Sequence, residues 1–180
     1  MKTITVIGAS VVVFFTAMVS ATPASPYMGQ EQRQIKSLSA AEITDYLAGK
    51  GMGMAKAAEL NHYPGPSHVL ELATALNLST EQKTQTQAVF KNMQERASRL
   101  GRLLVEEERR MDAQFSSKTI TPAKLETRLK RIGSLQAQIR QAHLEAHLTQ
   151  VNILSSAQIA KYVELRGYTG VGQGEHVHKH

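Results

Sequence analysis

The residues best suited to chemistry are His143-Leu144-Glu145-Ala146-His147. On a helix, two imidazoles four residues apart lie on one face, about 40° from each other. Neutral imidazole nitrogens at this spacing hold zinc, copper or nickel. Two donors do not fill a coordination sphere. The remaining ligands would come from His68, His62, Glu71, Glu107 or a second subunit. The same spacing also suits two partly buried histidines that hydrogen-bond to Gln or Glu between packed helices. Both readings stand on the residues alone.

Other donors are scattered along the chain. The tail ends in Glu175-His176-Val177-His178-Lys179-His180. His176, His178 and His180 form a loose chelator or a solvated polar tail. Met52 and Met54 flank Gly53, and thioethers suit cuprous ion, although methionine more often fills gaps in a core. Arg96, Arg99, Arg102, Arg109, Arg110, Lys124, Arg128, Lys130 and Arg131 crowd one region. Such a surface suits unfolded chains with apolar and acidic segments, or is a solvated helix face with Glu/Arg pairs. Nothing points to an enzyme. There is no cysteine and no Gly-x-Ser-x-Gly, and no strand precedes Gly49, Gly51 and Gly53 to make a nucleotide fingerprint.

These donors need a scaffold, and the pattern is helical. Leu78-Ser79-Thr80-Glu81-Gln82 and Leu154-Ser155-Ser156-Ala157-Gln158 are near-copies. In each, a serine caps a helix and a glutamine three residues later reaches back to the cap's own N–H. Each therefore pairs an apolar anchor with a helix start. From the first copy, Phe90, Met93, Ala97, Leu100, Leu104 and Met111 recur at steps of three and four, with one double interval. The periodicity predicts a helix over 80–115, roughly 54 Å long. Glu107 fills the open interval of that stripe, where a carboxylate is costly unless paired or coordinated. A rod this long needs a partner to cover its stripe.

Residues 116–121 are the turn, and Thr121-Pro122 restarts a helix over 122–153. Its buried stripe is Leu125, Leu129, Ile132, Leu135 and Ile139, and His143 and His147 fall on the same line. The short turn predicts an antiparallel hairpin. Leu144, Leu148 and Val151 form a second apolar face, expected to meet the short N-terminal helices or another subunit. Short helices are expected near 39–48, 54–60, 66–77 and 156–166. Residues 22–34 read as a flexible lead-in. The expected architecture is all-α: a long antiparallel hairpin with short flanking helices. The segments are 1–21, 22–66, 67–167 and the tail 168–180.

The first residues set the compartment. Lys2, the apolar run around Val11-Val12-Val13-Phe14-Phe15 and the small residues Val19-Ser20-Ala21 read as a signal peptide cut after Ala21. A retained anchor is the other reading, but the run is short and broken by Thr and Ser. Cleavage would leave 180 − 21 = 159 residues, one domain, with a charge of 6 − 1 = +5. An exported chain without cysteine has no disulfides, so helix packing must stabilise it. The basic balance suits acidic partners or anionic surfaces, and export argues against nucleic acid.

Paired Leu-Ser/Thr-x-x-Gln motifs on an exported, cysteine-free helical hairpin resemble the Spy/CpxP group. That group includes zinc-resistance-associated and heavy-metal-sensing proteins. The resemblance spans about 78–168, with Ser79 and Ser155 where Thr is usual, and does not extend to 27–66. It implies a periplasmic, curved, all-helical dimer. Its members act as ATP-independent chaperones for unfolded clients, damp an envelope-stress sensor kinase, or bind zinc, copper, nickel or cobalt. The metal sensors pair a His and a carboxylate with a His-x-x-x-His/Met pair on the last long helix, so the carry-over falls on His143 and His147. Zinc-associated relatives sometimes carry His-bearing tails, which bears on 176–180. The expected function is sensing or buffering of a divalent ion, with client binding or kinase inhibition as alternatives.

Overall fold

The computed structural model describes residues 24–169. The signal-peptide reading and the His176–His180 tail lie outside that range. Among the described residues all regular structure is helical: a 3-10 turn at Gln30–Gln32, then α1 (Ala40–Ala48), α2 (Lys56–Glu59), α3 (Pro66–Glu71), α4 (Thr80–Ser116), α5 (Pro122–Val151) and α6 (Ser156–Leu165). No helix among them is long and apolar enough to cross a membrane.

The caps stand where the sequence puts them. Ser39, Ser79 and Ser155 each close a complete capping box, with Glu42, Gln82 and Gln158 as the returning side chains. Thr121 accepts from Lys124 N–H, with Pro122 at the first helical position.

α4 and α5 pack together. Ala97, Leu100 and Leu104 meet Ile132, Leu135 and Ile139, with Tyr46, Met54 and Met111 at the edges. Polar pairs bracket this core: Glu107 with Arg128, Arg96 with Glu145, and Thr86 with Gln150. A second cluster of Val69, Leu76, Leu78, Leu154 and Tyr162 joins the two Leu-Ser-x-x-Gln segments to α3 and α6.

Several expectations need correction. Leu129 is not buried; it is 50% exposed. It lies about 60° off Ile132 around α5, at the edge of the stripe. Near the turn the N-terminal segment packs on α4, through Ile35, Leu38 and Val105, and does not reach that edge of α5. On the face of Leu144, Leu148 and Val151, Leu144 and Val151 are half-buried and Leu148 is open. Leu148 is 55% exposed, while α2, α3 and their loops cover the opposite, histidine-bearing face. The lead-in is not featureless, since it holds the 3-10 turn; just after it the chain ties to α4 through Lys36–Asp112 and Ser37–Glu108. α3 ends at Glu71, and turns carry the chain to Leu78.

Candidate functional site: an imidazole pair under a short-helix cover

His143 and His147 continue the line of Leu135 and Ile139 down α5 and are 5% and 8% exposed. The segment 49–68 crosses directly over them. At Gly65 it comes closer than a side chain would allow, while at Gly51 a side chain would make ordinary contact. A Cβ on Gly51 would lie 3.9 Å from His143 Nδ1. One on Gly65 would lie 2.9 Å from His147 Cε1 and 3.1 Å from its Nε2, too close to fit without movement.

Hydrogen bonding fixes the form of His147. Its Nδ1 is 2.7 Å from the Tyr63 carbonyl, which only accepts, so Nδ1 carries the proton. In the neutral ring Nε2 then holds the lone pair. A backbone carbonyl orienting one nitrogen while the other is left basic is the usual support of a metal-ligating histidine. His143 Nε2 is buried with no partner. Burial, and secondarily the neighbouring His147, lower the His143 pKa below the usual 6.5. A buried neutral ring can ligate a cation without first losing a proton.

Glu59 completes the group, and sequence reading missed it. It is 8% exposed. Its Oε1 accepts from Tyr162 OH at 2.5 Å and Tyr168 OH at 3.1 Å, with Arg166 Nε at 3.3 Å and His68 Nδ1 at 3.4 Å. Its Oε2 accepts no hydrogen bond and lies 3.8 Å from His147 Nδ1. That oxygen would lie 3.4 Å from a Cβ on Gly65, so Glu59 Oε2 and His147 Nε2 both lie against that glycine. Apart from His68, these partners of Glu59 are about a hundred residues away in sequence. Nothing around Lys56-Ala57-Ala58-Glu59 signals them.

The group sits at the floor of a cleft of about 730 Å³, walled by Met52, Leu60, Phe90 and Met93 and reached by Arg166 and Tyr168. His68 is on this wall; Glu107 is elsewhere. Glu107 pairs with Arg128 at 2.6 Å and Arg110 at 3.4 Å, which answers the cost of a carboxylate on the stripe. It lies fourteen residues along α4 from Met93, about 21 Å at helical rise. His62 is exposed, and Glu71 is exposed and accepts from Ser67. Met54 packs with the α4–α5 core while Met52 faces the cleft, so the two thioethers serve different surroundings. Among the described residues no three or more His, Asp or Glu side chains are placed together so as to hold a metal ion.

Compared with family models, curated proteins and solved structures, the chain matches none.

The lowered His143 pKa gives a pH prediction. The unfolded chain takes up this proton at higher pH than the folded one, so stability rises with pH across the interval between the two values. His143 thus favours folding above about 6.5, and that contribution is lost as pH falls through the lower folded value. In chelator-treated protein, denaturant midpoints should drop below pH 6.5. His143→Leu should flatten that part of the profile. An unchanged slope would show that His143 is not buried as a neutral ring.

Proposed function

We propose that this chain is an exported helical protein that binds a divalent ion at His143 and His147 to sense or buffer it, as in heavy-metal resistance or envelope stress. The scaffold is an antiparallel hairpin of α4 and α5, pairing into a homodimer. The observation that carries the reading is the crowding of donor atoms beside Gly65. His147 Nε2 and Glu59 Oε2, which accepts no hydrogen bond, both lie against that glycine, and His143 Nε2 has no hydrogen-bond partner. Buried polar atoms without partners cost about 1–3 kcal/mol each, so a cation there has something to satisfy. Imidazole nitrogens with one carboxylate suit zinc, nickel or cupric ion.

The test is a titration of the mature protein with zinc, copper and nickel. We expect one tight site per chain and a loss of roughly 100-fold or more in a His143→Ala/His147→Ala variant, since removing two ligands costs more than the roughly 10–100-fold of losing an outer-shell partner. Binding no tighter than that of a free His-rich peptide would end the reading.

A second reading, client binding, is favoured by Leu103, Phe115 and Leu129, which stand 43%, 53% and 50% exposed on the long helices among arginines. Suppression of client aggregation that is indifferent to chelator would select it.

A further inference from the structure

We infer that the cleft above the imidazole pair binds a single-chain anionic amphiphile: a long-chain carboxylate whose alkyl body lies among Met52, Leu60, Phe90 and Met93 and whose head meets Lys56 at the rim. This goes beyond the metal reading and shares no side chain with the proposed ion site.

Three observations support it. First, the walls are apolar and unclaimed. Phe90 and Met93 continue the stripe of α4 that Ala97, Leu100 and Leu104 bury against α5. Here the stripe is only half-buried, and neither residue packs with any of the three buried clusters. Met52 and Leu60 line the same cleft, stand 38% and 58% exposed, and belong to no cluster either. Among the described residues, nothing in the chain covers this surface.

Second, the space stays open where the backbone does not require it. Gly51 lines the cleft, and its φ lies outside the left-handed region. A Cβ there would find only the His143 ring within 4 Å, at 3.9 and 4.0 Å. A larger residue would fit the fold and take up cleft space instead. The volume of about 730 Å³ falls in the range, roughly 300–1,000 Å³, of sites that enclose most of a small organic ligand. The unbranched thioethers of Met52 and Met93 adapt their shape, which suits a flexible chain better than a rigid ring system.

Third, the rim is positive. Lys50, Lys56 and Arg166 line the cleft against one carboxylate, Glu59. Lys50 pairs with Asp45 at 2.8 Å, and Arg166 lies 3.3 Å from Glu59, which also accepts from Tyr162 and Tyr168. Lys56 is exposed and has no carboxylate partner among the described residues. The uncommitted charge therefore stands at the mouth, which sets the head of the guest outward. An anionic head completes the charge pattern, and a cationic one meets repulsion.

The experiment is calorimetric titration of the mature protein with dodecanoate below its micellar range, in the presence of chelator. We expect one molecule per chain, and binding about fourfold tighter for each carbon added between decanoate and dodecanoate. Gly51→Leu should weaken dodecanoate at least tenfold, the worth of about two displaced methylenes, with an unchanged urea midpoint. Met52→Gln/Leu60→Gln changes only exposed side chains, so it carries the same test if Gly51→Leu folds poorly. Lys56→Glu should weaken binding by roughly 3–10-fold, and the difference should shrink at high salt. Dodecylammonium, the same chain with the opposite charge, should bind more weakly than dodecanoate. Binding that exceeds one molecule per chain without saturating, that ignores both cleft variants, or that prefers the ammonium overturns the inference. So does capture by phosphatidylglycerol vesicles without binding of free dodecanoate, because the apolar surface would then be a membrane contact. With chelator present throughout, these results are independent of the zinc titration, so either reading can fail alone.

Discussion

Gly101→Ala is expected to destabilise the protein by about 2–3 kcal/mol or more, the range for forced overpacking, although alanine is the better helix former. Gly101 is buried in the middle of α4. A Cβ there would lie 2.1 Å from the Tyr46 carbonyl oxygen, 2.7 Å from its carbon and 3.2 Å from the Tyr46 Cα. All three are main-chain atoms, so no side chain can swing aside. α1 must lift off α4. Gly49 makes the same approach at the end of α1, where a Cβ would meet Gln94 O at 2.6 Å and Ser98 N at 2.9 Å. Gly133 is the internal control. It too is mid-helix, in α5, but exposed and with nothing within 4 Å of its Cβ position. Gly133→Ala should therefore stabilise by about 1 kcal/mol, the propensity difference alone. Urea unfolding of the two variants should give opposite signs. Amide exchange across 40–48 should accelerate only in Gly101→Ala. If both substitutions stabilise, α1 does not lie against α4 as described.

How much of this was legible in the sequence depends on the range of each signal. Capping boxes are local, and Ser39, Ser79 and Ser155 all act as their spacing says. The stripe of α5 is local too, and it carries His143 and His147 to the buried side. Leu129 shows where periodicity stops: it marks a face, but only the neighbouring elements decide how wide the covered stripe is. Gly101 reads as a mere weakness in a long helix until Tyr46 is seen across it. Glu59 is the clearest case. Its environment is made by Tyr162, Tyr168, Arg166 and His147, each brought from far along the chain, so no window of residues around it holds the information. Glu107, conspicuous on its stripe, is explained by Arg128 across the helix pair.

The two Leu-Ser-x-x-Gln copies teach the same lesson at larger scale, and they carry the other large prediction. Each glutamine closes its own capping box, but the two amides also bond each other. Gln82 Nε2 donates to Gln158 Oε1 at 2.8 Å, and Gln158 Nε2 donates to Gln82 Oε1 at 2.9 Å. Gln82 Nε2 also donates to the Ile153 carbonyl and Gln158 Nε2 to the Leu76 carbonyl. Each Oε1 accepts its own serine N–H as well. The knot ties the starts of α4 and α6 together above Leu78 and Leu154, which share one apolar cluster. A capping box accepts Glu or Gln equally, because it needs only an acceptor. The knot needs a donor and an acceptor on one side chain, and only the amide has both. Gln158→Ala should therefore cost about 3 kcal/mol, from the cap and from the partners left unsatisfied. Gln158→Glu keeps the cap, yet it should cost nearly as much, because a carboxylate then faces the Leu76 carbonyl and Gln82 Oε1. Adding Gln82→Ala to Gln158→Ala should cost less than it does alone, with a coupling of roughly 1–2 kcal/mol. Denaturant unfolding of the four proteins of that cycle, with the glutamate variant beside them, decides the matter. A tolerated glutamate, or strict additivity, would mean that the repeated motif only starts helices and does not join them.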